Sequence, residues 1–115
     1  MISKEHVTDL IEKEFSVARD ALAAGNEGKV RVCARRAAGH ALSWFLTKYP
    51  RTGWGNDMLS QLHAAKNEPT FPKEIRDAAE RLTTKISDRF DYPVSVNPIE
   101  DAQGIVHYIR SLMEE

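Results

Sequence analysis

Residues 27–48, EGKVRVCARRAAGHALSWFLTK, hold the pattern on which the rest of the chain turns. Val30, Cys33, Ala34, Ala37, Ala38, Ala41, Leu42 and Phe45 recur at steps of three and four, the spacing of one helix face. The small side chains in the middle allow a second helix to come close, because short side chains narrow the gap between axes. The same stretch carries a cationic cluster, Lys29, Arg31, Arg35 and Arg36, followed by His40. It is either a site that handles an anion or only the solvent face of a buried helix.

Upstream, Val7, Leu10, Ile11, Phe15, Ala18 and Leu22 mark a helix over 3–24, with Ser3 as its cap and Gly25 at the turn that stops it. The tight "GNEG" reversal makes the first two helices antiparallel neighbours. Downstream, Pro50 and the glycines of "YPRTGWG" end the second helix. Asn56 or Asp57 can cap a short third helix to about Lys66, with Met58, Leu59 and Leu62 expected inward. Pro72 suits the first turn of a fourth helix carrying Ile75, Ala78, Ala79, Leu82, Ile86 and Phe90. Asn97, Pro98 and Glu100 open a last helix that packs Ile99, Ala102, Val106, Ile109 and Met113. No period-two alternation is long enough for a strand, the short "PVSV" apart. The expected fold is all-α: an antiparallel up-and-down bundle of four main helices plus one short helix, a single domain over 1–115.

A length of 115 residues suits one core, and a formal net charge of −1 provides no whole-molecule pull on nucleic acid. Binding of that kind needs a local patch. Cys33 is the only cysteine, which excludes an intrachain disulfide and suits a reducing cytosol. The start of the chain does not read as a signal peptide, and no run is apolar enough to span a membrane. A cytoplasmic, non-membrane protein is expected. His6, His40, His63 and His107 are scattered without metal-ligand spacing, so neither metal nor cofactor is implied.

Lys29, Arg31, Arg35 and Arg36 fall within two turns, and guanidinium forks suit a nucleotide phosphate or an RNA backbone. The plainer reading pairs these arginines with Glu5, Asp9 or Glu12 of the first helix. Val32, Trp44 and Leu46 lie outside the apolar stripe, and Trp54 neighbours Met58 and Leu59. That surplus of apolar residues predicts a homodimer. The loops 49–56 and 88–98, with Arg51, Trp54, Arg89 and Tyr92, are further places for recognition residues.

The segment RLTTKISDRFDYPVSVNPIEDAQGIVHYI, residues 81–109, together with the order and lengths of the helices, resembles the HEPN domains of prokaryotes. The resemblance implies dimerisation, frequent pairing with a minimal nucleotidyltransferase in toxin–antitoxin-like systems, and in many members metal-independent ribonuclease activity. Those ribonucleases resemble one another in an arginine followed by a histidine across a dimer cleft. Arg35, four intervening residues and His40 match that pattern. The histidine would exchange a proton with a ribose hydroxyl and the arginine would stabilise phosphate charge. A five-residue step turns about 140° around a helix, however, so the two point to different sides of it. Arg36 also fills the slot where the family favours Asn, Asp or His. The leading expectation is therefore a module that binds a nucleotide, a nucleic acid or a partner protein. A ribonuclease using Arg35 and His40, and a purely structural dimerisation module, are the alternatives.

Overall fold

The computed structural model describes residues 3–84 and 97–114. They form five helices: α1 (Lys4–Ala23), α2 (Glu27–Lys48), α3 (Met58–Lys66), α4 (Lys73–Thr83) and α5 (Pro98–Met113). No strand occurs among the described residues, and none of their helices is long and apolar enough to cross a membrane.

The helix starts follow from capping chemistry. Ser3, Asn26, Asp57 and Asn97 each accept a hydrogen bond from the backbone N–H three residues on. Each thereby satisfies a donor that the first turn leaves over. Pro98 follows its cap at the first helical position, whereas Pro72 stands one step earlier than expected, as the N-cap of α4. Gly25 takes φ 75°, which a side chain would oppose, and the chain folds back so that α2 packs along α1.

α2 is the hub. It packs against α1, α5 and α3 and touches α4, while α4 rests on α3 and α5. Its expected apolar face is buried throughout, from Val30 to Phe45. A helix surrounded on several sides buries more than one stripe, and Gly39 and Trp44 are buried as well. Trp54 lies under its loop beside Phe45 and Phe71, at centroid separations of 6.0 Å from each. Both tryptophans are thus core residues and add nothing to an apolar surface.

Three expectations need correction. Leu22 and Leu59 are exposed, at 53% and 49%, and the inward places fall to Ala21 and Gln61. Gln61 is buried because it is a strut: its Oε1 accepts from the Ser43 hydroxyl at 2.7 Å and its Nε2 donates to the Gly55 carbonyl at 3.3 Å. α4 ends at Thr83: the Thr84 N–H still donates to the Glu80 carbonyl, but the Thr84 backbone is extended, and the hydroxyls of Thr83 and Thr84 add bonds to the carbonyls of Ala79 and Glu80. Ile86, Arg89, Phe90, Tyr92 and the "PVSV" run lie outside the described residues.

The described ends of α4 and α5 are stitched together by Arg81. Its Nε and Nη2 donate to the two carboxylate oxygens of buried Asp101 at 2.9 and 2.8 Å. Two parallel charge-assisted bonds fix geometry as well as energy.

Candidate functional site

Gly39 sets the spacing of the site. A Cβ placed on it would stand 2.6 Å from the Cβ and Cγ of Met58, closer than side-chain atoms can approach. The missing side chain lets the start of α3 lie against the middle of α2. Glycine inside a helix costs roughly 1 kcal/mol against alanine, so its place in an alanine run is the one sequence signal of this contact.

Beside Gly39 the two helices border a groove of about 210 Å³. Val32, Arg35 and Arg36 of α2 and Met58, Leu59 and Leu62 of α3 line it. Leu62 is its buried floor, Met58 is half-buried, and Val32 and Leu59 stand exposed on its edges. Among the described residues no acidic side chain lines it. Arg31, one turn before Arg35, shares a face with it.

The arginines do not pair as the plainer reading expected. Among the described residues Arg31, Arg35 and Arg36 form no ion pair, while Glu12 turns to Arg110 of α5 at 3.8 Å. Arg35 Nε donates to the carbonyl oxygen of Leu82 at 2.6 Å and so covers a free acceptor in the last turn of α4. Burial, and then the charge of Arg31, push the Arg35 guanidinium below its ordinary pKa, although arginine stays protonated in proteins. Arg36 is exposed. Lys29 is exposed but does not line the groove.

His40 faces the opposite seam. Its Nε2 lies 3.9 Å from Glu14 Oε2 on α1, too far for a hydrogen bond. Burial lowers its pKa, Glu14 pulls the other way, and Arg36 and His6 add to the lowering. Within one chain, then, Arg35 reaches toward α4 while His40 reaches toward α1. Cys33 lies in the core near the same seam, and burial, reinforced by Glu14, raises its thiol pKa. A raised pKa keeps the thiol protonated, the opposite of a nucleophile's requirement. No group of three metal-ligating side chains occurs among the described residues.

The chain matches no known family model, no curated protein and no solved structure at a significant level.

Proposed function

We propose that the chain is a HEPN-like helical binding module that docks an acidic, apolar-faced helical segment of a partner protein in the α2–α3 groove. In this reading α1, α2, α4 and α5 form an antiparallel up-and-down bundle and α3 is the short fifth helix. The observation that carries it is an apolar groove bordered by arginines that no described carboxylate neutralises. Val32, Met58, Leu59 and Leu62 can bury the stripe of an amphipathic helix, and Arg35 and Arg36 can take its flanking carboxylates. The resemblance to HEPN domains suggests a cytoplasmic nucleotidyltransferase as the source of that segment. RNA is the weaker ligand for this groove: among the described residues no aromatic ring lines it for a base to stack on, and the net charge of −1 adds no general attraction.

A homodimer is the second reading, because Val32 and Leu59 stand exposed on the edges of one groove. A twofold contact centred there would also bring like-charged arginines together, which favours a foreign, acidic occupant. Sedimentation equilibrium at micromolar concentration decides between them: a clean 13.0 kDa monomer excludes the dimer. A ribonuclease would have to draw Arg35 and His40 from different chains, and metal-free RNA cleavage that disappears in His40→Ala would displace the docking account.

The docking test uses a labelled, designed helix with leucines at i, i+3, i+4 and i+7 flanked by glutamates. Its fluorescence anisotropy should rise with added protein, the affinity should fall about tenfold in Arg36→Glu, and salt should weaken it. Equal binding of a lysine-flanked version of the helix would refute the proposal.

A further inference from the structure

A second pocket lies at the other end of α2, where aromatic rings gather. It measures about 270 Å³, and Phe45, Tyr49, Phe71 and Tyr108 line it together with Leu112 and Arg51. The rings are ordered by mutual contact: Phe71 meets Tyr108 edge-on at 5.2 Å and Phe45 at 5.6 Å, and Phe45 leans on Tyr49 at 5.2 Å. The Tyr49 hydroxyl points to the Leu112 carbonyl at 3.4 Å, a long contact that orients the ring only weakly. An aromatic ring carries a negative face and a positive edge, so a cation is attracted where it can lie over a face.

What lies there already is a cation. The Arg51 guanidinium carbon stands 5.7 Å from the Phe45 ring centroid, and Nη1 lies 3.4 Å from Glu68 Oε1. Glu68 is 9% exposed, and its other oxygen accepts from the Thr70 hydroxyl at 2.7 Å and the Thr70 N–H at 3.1 Å. Those bonds, the hydroxyl's first, hold its carboxyl below the usual carboxylate range, so it is anionic at neutral pH. Glu68 does not itself line the pocket, but it meets the lining residues Arg51 and Thr70. A cation in the place of the Arg51 guanidinium therefore has the Phe45 ring on one side and a buried carboxylate on the other, the combination that binds weakly hydrated cations. The contacts of Arg51 are loose by comparison: 3.4 Å is long for a charge-assisted bond, and its side chain is 35% exposed.

We propose that this pocket is a recognition site for a weakly hydrated organic cation, a guanidinium or an alkylated ammonium head, and that Arg51 is its internal occupant. An incoming cation takes the ring faces and Glu68 while Arg51 swings out to water from its loop. The same head group occurs on free small molecules and on side chains of other proteins, and the chemistry of recognition is shared. Because Arg51 competes, the wild-type protein binds with an affinity reduced by the fraction of time the pocket is free.

The test is a titration of the full chain with N-acetylarginine amide, with choline, and with the peptide Gly-Gly-Arg-Gly-Gly at constant ionic strength. Fluorescence of Trp54, which lies 6.0 Å from both Phe45 and Phe71, reports binding. NMR reports it independently through ring-current shifts of the choline methyl protons and of the Tyr49, Phe71 and Tyr108 rings. Arg51→Ala should bind these cations about tenfold more tightly than the parent, and Tyr108→Leu in that background should lose the gain. Equal affinity for the amide and the peptide assigns the site to small molecules, and a tighter peptide assigns it to a partner's arginine. Should Tyr108→Leu fail to fold, the ring-current shifts in Arg51→Ala alone decide. Absence of saturable binding by folded Arg51→Ala, or ligand shifts that leave the three rings untouched, would overturn the proposal.

Discussion

Arg81 on α4 gives two nitrogens to the carboxylate of Asp101 at 2.9 and 2.8 Å, whereas Arg36 on α2 meets no carboxylate among the described residues. The surroundings differ in the same sense. Asp101 is buried at 5%, while the neighbours of Arg36 across the groove include Leu59 at 49%. An arginine that joins two helices is fixed by a buried partner. One that stands beside an apolar edge, with no described carboxylate paired to it, is available to something else. Arg35 is intermediate, with one nitrogen given to the Leu82 carbonyl.

The largest expected effect breaks the structural half of this comparison. Arg81→Ala leaves Asp101 without its fork and should lower stability by about 2–4 kcal/mol, toward the lower side of buried-pair losses because Arg81 is partly exposed. Arg36→Ala should change stability by less than about 0.5 kcal/mol. Urea denaturation of both variants measures the contrast, and equal losses would erase it.

The two faces of α2 provide the next pair. Ala37 is fully buried, so Ala37→Leu should cost about 1–3 kcal/mol through overpacking. Gly39→Ala should cost a similar amount, since its Cβ would drive Met58 and the start of α3 outward. Val32→Ser, on the open edge, should be neutral within about 0.5 kcal/mol. Thermal unfolding separates these outcomes, and a parent-like Ala37→Leu would mean that the face has been assigned wrongly.

A smaller effect concerns the α1–α2 seam. Burial lowers the pKa of His40 below its ordinary 6.5 against the pull of Glu14, with Arg36 and His6 also opposing its charge. The folded state therefore binds fewer protons there than the unfolded chain. The contribution of His40 is complete above about pH 6.5 and is lost as pH falls through the folded pKa. Stability should decline from pH 7 toward pH 5, and His40→Gln should flatten that slope. An unchanged slope would place the protons elsewhere.

Much of the fold was legible because the chain punctuates itself. Ser3, Gly25, Asp57 and Asn97 act at the ends where their chemistry predicts, and α2 has the bounds its periodicity implies. Periodicity fails where a helix has several neighbours or a polar residue has a task. Trp44 lies off the stripe yet is buried, because α2 is enclosed on more than one side. Ile105, one residue before Val106, is buried between α5's neighbours in the same way. Gln61 displaces Leu59 from the interior by tying Ser43 to Gly55. The arginine cluster was visible as composition, but which residues it would face was not. The Arg81–Asp101 pair is set by the approach of α4 to α5, a distance that no local pattern encodes.

The central claim is that the α2–α3 groove takes an acidic amphipathic helix. Its most direct test is an NMR titration of the isotope-labelled chain with the glutamate-flanked helix and, separately, with a short single-stranded RNA. The peptide should perturb the methyl groups of Val32, Met58, Leu59 and Leu62 and the side chain of Arg36, leave Val7 and Phe15 of α1 unmoved, and lose its effect in Arg36→Glu. RNA should perturb the groove weakly or not at all. Shifts centred on His40 and Glu14, or RNA binding the groove more tightly than the peptide, would contradict the account.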